Sequence, residues 1–292
     1  MRLENKYLAV KCLNKEKYYP VSTLCDILTL NRSSYYKWLR RDSAAQEAKD
    51  AELIKHICEL YQGSNGIFGY RRMQINLKRQ FHLHCNKKRV YRVMRTIGLK
   101  SVIRRKRPTY IKSTPEVTAK NILDRNFTAT KLNEKWLTDI TEFKYGDGGK
   151  IYLSAILDLK DKSIIAYAIS HNNNNKLAFD TFDAAIQKYP NAKPLFHSDR
   201  GFQYTNQVFR VKLDAQGMTQ SMSRIGRCID NGPMEAFWGT IKAEMYYLNK
   251  FLDFSSLKMA IDSYIDFYNN GRYQEKLGAL APLELRAILL TA

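Results

Sequence analysis

The sequence predicts an α+β protein in which an all-α front half precedes a mixed five-stranded sheet flanked by helices. Two observations predict it. Apolar residues recur at helical spacing through roughly the first hundred positions, and after Lys135 they alternate as in strands. Turn residues divide the second part into the order strand, strand, strand, helix, strand, helix, strand, helix. With 292 residues, the chain is long enough for two or three domains.

Positive charge is concentrated in the front half. Residues 1–135 hold 30 Lys and Arg against 11 Asp and Glu, whereas residues 136–292 hold 18 against 17. Nearly all of the net charge of +20 therefore lies in the helical part. A basic lobe joined to an electrically balanced one indicates a polyanion-binding module attached to a part with another task. Nucleic acid is the leading candidate partner.

The first predicted segment, residues 1–43, contains a helix-turn-helix pattern. Apolar side chains in residues 21–28 follow helical spacing, and a break follows. Ser33 is the predicted N-cap of a second helix. Arg32 and Lys37 flank that helix, as basic residues flank a recognition helix that faces phosphates. An ordinary helical hairpin with a solvated basic face is the alternative.

Residues 44–104 are predicted to form a second helical DNA-binding module. Its helices are expected near residues 70–80 and 86–98, with Asn86 as an N-cap and Gly98 as a terminator. The basic side chains expected to contact DNA here are Arg71, Arg72, Lys87, Lys88 and Arg89.

Residues 105–130 are predicted to be a basic linker. The run that leads into it has four adjacent cations and no apolar periodicity, so the charges repel one another unless a polyanion is present. A linker lying on DNA is therefore favoured over a merely solvated segment. Arg104, Arg105 and Arg107 are the candidate contacts.

Three carboxylates occupy informative positions in the last predicted domain, residues 131–292. Asp139 lies within the first strand, where burying an acid is costly unless it binds a partner such as a cation. Asp199 ends the fourth strand. Glu235 lies in the first turn of the helix after the fifth strand, where Pro233 is tolerated because its missing N–H costs nothing.

Other acids are weaker candidates. Asp158 ends the second strand and is interpreted as a turn or cap residue, and Asp230 precedes an Asn-Gly pair in a predicted flexible loop. Glu244 follows on the same helix as Glu235 and is expected to have no part in the chemistry.

Three further residues gain interest from their positions. Lys242 is seven positions after Glu235, hence two turns along nearly the same helix face. If the acids cut a phosphodiester, Lys242 could hold the phosphate next to the scissile one. His197 shares strand parity with Asp199 and could orient a ligand, with a packed core histidine as the alternative. Trp238 could stack on a base, but core packing is favoured.

Several ordered blocks of the chain resemble one known family. They are NILDRNF (121–127), KWLTDITEF (135–143), FHSDRGFQY (196–204), MEAFWGTIKAE (234–244) and YNNGRYQEKLGALAP (268–282). These blocks, and the 35 residues between Asp199 and Glu235, resemble the downstream-frame (orf B) product of bacterial insertion sequence family three. That product is a transposase with the DDE signature of retroviral integrases. The resemblance covers nearly the whole chain.

The resemblance implies a ribonuclease H-like catalytic core and a Mg-dependent transposase. Asp139, Asp199 and Glu235 would hold two divalent cations, Mg or Mn, for cleavage at element ends and for strand transfer. Asp139 would bridge the pair of ions. The family also places a basic residue at Lys242. Element-end and target DNA, a homo-oligomer on DNA, and an upstream-frame (orf A) protein or fusion are the implied partners.

Two other functions remain open at this stage. A nuclease of the ribonuclease H or junction-resolvase kind would share the core but needs no basic helical front half. A DNA-binding regulator with an inactive catalytic fold would need no intact acids.

The five scattered cysteines predict no disulfide framework, and no stretch approaches a membrane span. We therefore expect a cytoplasmic protein of the bacterial nucleoid.

Overall fold

Residues 3–40, 43–103, 119–224 and 228–291 are described by the computed structural model. They fall into two compact units, Met1–Glu59 and Leu60–Ala292. The candidate linker contacts Arg104, Arg105 and Arg107 lie outside the described residues. The three predicted boundaries between the four segments stay a prediction.

The first unit is helical. Its elements are α1 (Leu3–Lys17), α2 (Val21–Ile27), α3 (Arg32–Leu39) and the first part of α4 (Ser43–Gly63). Its core consists of Tyr7, Val10, Leu24, Cys25 and Tyr35. The predicted cap Ser33 is wrong, because the side chain of Asn31 accepts hydrogen bonds from the backbone N–H groups of Ser33 (2.9 Å) and Ser34 (3.4 Å). Helix α3 therefore begins at Arg32, two residues earlier than a cap at Ser33 would place it.

The second unit begins with two further helices, α5 (Tyr70–Phe81) and α6 (Lys87–Thr96). The predicted cap of α6 is confirmed, since the Asn86 side chain accepts from the N–H of Arg89 at 2.8 Å. Gly98 has a φ of +74° just beyond the helix, a conformation that glycine adopts without strain.

A mixed five-stranded sheet follows, as the sequence predicts. Its strands are β1 (Lys135–Tyr145), β2 (Gly149–Asp158), β3 (Ile164–Ser170), β4 (Leu195–Ser198) and β5 (Thr219–Met222). Their order across the sheet is β3-β2-β1-β4-β5. The first three strands are antiparallel, whereas β4 pairs parallel with both β1 and β5. β1 therefore lies at the centre, at the change from antiparallel to parallel pairing.

Different helices cover the two faces of this sheet. The helices that follow β3 in the chain are α7 (Asn175–Lys188), α8 (Gln207–Ala215), α9 (Gly232–Glu244), α10 (Phe254–Asn270) and α11 (Pro282–Thr291), and the first four of them pack on the sheet. α9 and α10 share a core with Leu137 and Phe143, while α7 and α8 share the other with Trp136 and Phe196. Because side chains alternate along a strand, odd-numbered residues of β1 face α9.

A buried ion-pair cluster fastens α11 to the turn between β2 and β3. Arg286 donates to Asp158 and to Asp161, each at 2.6 Å. Asp158 also accepts from the backbone N–H groups of Asn133 (2.7 Å) and Lys160 (2.9 Å). Asp158 is thus a structural residue that holds a turn. Within the described part of the chain, no helix is long and apolar enough to cross a membrane.

Candidate active site

Asp139 and Asp199 lie at the same level of two neighbouring parallel strands. The pairing of β1 with β4 sets Lys135 opposite Leu195 and Leu137 opposite His197. The same offset continued by two residues brings Asp139 opposite Asp199, just where β4 ends. Neighbouring strands are about 4.8 Å apart, so the two carboxylates share one edge of the site.

Both carboxylate oxygens of Asp139 accept a hydrogen bond. The backbone N–H of Ile140 donates to Oδ1 at 2.8 Å, and the indole N–H of Trp238 donates to Oδ2 at 3.0 Å. Burial raises the pKa of Asp139 to about 7, and the negative charges of Asp199 and Glu235 add to this rise. Asp139 thus lies within the electrostatic influence of both other candidate acids.

Asp199 is held by the turn that follows it. The N–H of Gly201 donates to Asp199 Oδ1 at 2.9 Å, and burial raises the pKa of Asp199. A Cβ atom at position 201 would lie only 2.9 Å from Gln203 Oε1 and 3.1 Å from Asp199 Oδ1. A side chain at position 201 would therefore require the side chains of Gln203 and Asp199 to shift, and the shift of Asp199 would change the position of this candidate ligand.

Glu235 is exposed in the first turn of α9. Pro233 occupies the start of this helix, as predicted. The side chain of Asn231 ties the same end to the central strand by donating to the carbonyl of Thr138 at 3.0 Å. Across the ranges described above, no three His, Cys, Asp or Glu side chains are gathered closely enough to hold one metal ion. Glu235 would have to turn inward to join the two aspartates.

Lys242 lies on the same side of the sheet as Asp139. Its ammonium donates to Thr141 Oγ1 at 2.7 Å and lies 5.3 Å from the centre of the Phe143 ring. Burial lowers the pKa of Lys242, and the charge of Asp139 opposes that shift. The lysine therefore stands beside the candidate acids.

His197 is a core residue. Its ring is fully buried between two serines, with Nδ1 2.9 Å from Ser221 Oγ and Nε2 3.2 Å from Ser223 Oγ. Burial lowers its pKa to about 4, so the ring is neutral at pH 7. Of the two interpretations of His197, the structure supports the packed histidine.

Asp230 does not lie in a flexible loop, and that prediction was wrong. It belongs to a short 3₁₀ helix, Cys228–Asn231, and is fully buried. Arg224 and Arg125 both donate to its carboxylate, and these hydrogen bonds and charges hold its pKa well below the usual range. Asp230 therefore has a structural role, because its carboxylate holds two arginines.

Glu244 is also not the inert neighbour that the sequence suggested. Its side chain is 2% exposed and lies at the far end of α9 from Glu235. It accepts from Arg272 (2.8 and 2.9 Å), from Arg72 (3.2 Å) and from the hydroxyl of Tyr264 (2.8 Å). A substitution there disturbs a buried network that joins α5, α9 and α10.

The candidate DNA contacts differ in how they are presented. Arg32, Lys37, Arg71, Lys87 and Lys88 are exposed, and Arg89 is half-buried. Arg72 instead points inward to Glu244, which gives it a structural contact that the helical pattern could not reveal.

The role of Trp238 as a hydrogen-bond donor to Asp139 was not predicted from the sequence. The tryptophan is buried, so the favoured core packing is supported, but its indole N–H is directed at a candidate metal ligand. The available signal was its position one helical turn after Glu235. The residues that fix a ligand's orientation commonly govern metal affinity.

We therefore expect Trp238→Phe to weaken metal binding. Phenylalanine keeps a packed ring but cannot donate to Asp139 Oδ2. The Mg²⁺ concentration for half-maximal DNA cleavage should rise about 10- to 100-fold. The matched control is Trp136→Phe, which removes an indole N–H bonded to Asn133 Oδ1 on the other face. An equal Mg²⁺ requirement in both variants would show that the Trp238 bond has no such role.

Comparison with known proteins defines the class. The family models described as "Integrase core domain" match residues 129–228 and 235–290, and the model described as "HTH-like domain" matches residues 47–107. The fold, with one candidate acid on β1, one directly after β4 and one on α9, is that of DNA-cutting and strand-transferring enzymes with an integrase core.

Two relatives then give the family. The InsK transposase of insertion sequence element IS150 from Escherichia coli K12 is 38% identical over 95% of this chain and 97% of its own length. InsF of insertion sequence IS3A, also from Escherichia coli K12, is 26% identical over 90% of this chain and 93% of its own. The HTLV-2 integrase catalytic core domain in complex with magnesium has a TM-score of 0.44 and 20% identity, over 54% of this chain and 99% of that one. This chain belongs to the IS150/IS3-type insertion-sequence transposases.

Proposed function

We propose that this transposase cuts DNA at element ends and joins the ends to target DNA with two divalent cations, Mg or Mn, held by Asp139, Asp199 and Glu235. The observation that carries the proposal is the charge concentrated around Asp139. Asp139 lies within the electrostatic reach of both Asp199 and Glu235, and the two aspartates are half-buried, so the negative charge around Asp139 is unfavourable unless a cation neutralises it.

The donor set suits these ions. Mg²⁺ and Mn²⁺ prefer carboxylate oxygens over imidazole or thiolate, and the neutral His197 faces serines instead. Glu235 is exposed on the first turn of α9, so its side chain can rotate toward Asp139 without disturbing the core. Two bound cations would activate the attacking water or 3′-hydroxyl and stabilise the leaving 3′-oxygen.

The surrounding residues would position this chemistry. Trp238 and the N–H of Ile140 fix the orientation of Asp139, and the N–H of Gly201 fixes Asp199. Asn231 holds the start of α9 against β1, which keeps Glu235 near Asp139. Lys242 would hold the phosphate beside the scissile one.

DNA binding would be the task of the basic helices. Arg32 and Lys37 in the first unit, and Arg71, Lys87 and Lys88 in the second, are exposed cations suited to phosphates. Joining two DNA ends requires at least two protomers, so we infer a homo-oligomer on DNA. An orf A protein or fusion, and a cytoplasmic place at the nucleoid, belong to the same proposal.

The test is a nicking and strand-transfer assay on DNA that carries the element ends, with and without Mg²⁺. We expect cleavage and joined products only with the metal. Tight DNA binding without any metal-dependent product, even with an orf A partner added, would favour the DNA-binding regulator with an inactive catalytic fold.

Lys242→Ala should weaken cleavage more than binding. One contact next to the scissile phosphate positions the substrate, so cleavage should fall by roughly ten- to a hundredfold while DNA affinity changes little. Lys250→Ala, an exposed lysine beyond the same helix, is the control. An equal loss of binding and cleavage would assign Lys242 to the general basic surface.

A further inference from the structure

A basic groove lies between α5 and the segment Arg272–Lys276, well separated in sequence from the candidate acids. Its volume is about 510 Å³. The charged residues that line it are Arg71, Arg72, Arg272, Lys276 and Glu275. Four cations against one lining anion give the groove a surplus of positive charge.

The buried carboxylate of Glu244, which binds two of these arginines, does not remove this surplus of positive charge. Arg72 and Arg272 share the single carboxylate of Glu244, at 3.2 Å and 2.8 Å. Their side chains keep 18% and 12% of their surface exposed, and both line the groove. An arginine has five N–H donors, and Arg72 uses one of them on Glu244.

Glu275 places a carboxylate in the lining of this groove. Its carboxylate accepts a hydrogen bond from Lys87, and this bond, together with the charges of Lys87 and Arg71, holds the pKa of Glu275 below the usual range. Lys87 begins α6, so this carboxylate meets the N-terminal end of a basic helix.

We propose that this groove binds a phosphate of the DNA backbone, with Arg71 and Lys276 as exposed contacts and Arg72 and Arg272 as partly buried ones. The proposal rests on the proposed DNA-binding function and names a place for it. Guanidinium groups bind phosphate through paired N–H donors, which fits two arginines that face one groove. The bound strand displaces Glu275 from Lys87.

The test measures the salt dependence of binding of the full chain to a short random-sequence duplex, because backbone contacts do not depend on sequence. The variants are the exposed pair Arg71→Gln/Lys276→Gln and, as a control of equal charge, Arg210→Gln/Lys250→Gln. The slope of log affinity against log salt should shrink by about 0.9 for each phosphate that the first pair no longer neutralises, and should stay unchanged in the control. Glu275→Gln should bind the duplex more tightly, and more so than Asp214→Asn.

The outcomes separate the two proposals. If the unaltered protein binds the duplex but both double variants have its slope, the groove proposal is overturned and the DNA-binding function stands. If the unaltered protein does not bind DNA, the proposed function fails, and this proposal fails with it. Thermal stabilisation by inorganic phosphate alone, with an unchanged DNA slope, would assign the groove to a free anion and overturn the DNA contact.

Discussion

Asp139→Asn, Asp199→Asn and Glu235→Gln should each abolish DNA cleavage and joining while leaving DNA binding nearly intact. Each amide keeps the size of the side chain but removes a charge that a metal ion needs. Rates should fall to below roughly one thousandth, and the triple variant should be little worse, because residues that act as a unit are not additive. The measurement is the Mg²⁺-dependent nicking and strand-transfer assay.

Asp214→Asn is the matched control, since Asp214 is an exposed carboxylate on α8. It should retain the activity of the unaltered protein. Robust cleavage by Glu235→Gln would show that the third ligand is another acid.

A second readout of Asp139 needs no activity. Its folded pKa is raised to about 7, above the value of about 3.9 in an unfolded chain, so its ionisation destabilises the fold increasingly as pH rises between these values. In EDTA, the melting temperature of Asp139→Asn relative to the unaltered protein should therefore rise from pH 4 to pH 8. Added Mg²⁺ should stabilise the unaltered protein and not the variant. A pH-independent difference would contradict this.

Glu244→Gln should destabilise the protein by about 3 kcal/mol, because removing one member of a buried ion pair leaves the others uncompensated. Arg72 and Arg272 would lose their shared carboxylate. Urea denaturation measures the loss. The control is Glu284→Gln, which disturbs an ion pair with Arg79 that is about one-third exposed and should cost less than about 1 kcal/mol.

The pH dependence of stability in the acid range gives a second test of Glu244. Burial opposes ionisation of Glu244, but the hydrogen bonds and charge of Arg272 and the charge of Arg72 hold its pKa below the ordinary value. Its contribution is present above the unfolded pKa of about 4.3 and is lost as pH falls through the lower folded value. Glu244→Gln should lose less stability over that range. An equal acid transition in both proteins would exclude Glu244 as the cause.

The features that the sequence predicted are those that leave a local pattern. Alternation marked the strands of the sheet, helical spacing marked α5 and α6, and the change between the two marked the start of the core. Asp139, Asp199 and Glu235 could be chosen because each occupies a defined place in the order of elements. The structure confirms that order of elements.

The features that were missed depend on contacts between distant residues. Arg72 and Glu244 are 172 positions apart, and Trp238 and Asp139 are 99 apart, so no periodicity relates them. A basic helix face looks the same in sequence whether its arginines meet phosphates or a buried carboxylate. For Asp230 this holds only in part, because Arg125 lies 105 residues before it but Arg224, its main partner, lies six residues before it.

The contacts of α5 determine where a fragment that contains the integrase core must begin. Arg72 and Arg79, two turns apart on this helix, bind Glu244 and Glu284 of the integrase core region. A recombinant fragment that starts at residue 129, where the integrase match begins, would lack both arginines. Truncation at that point therefore removes part of the folded body, and a fragment for biochemistry should begin before α5.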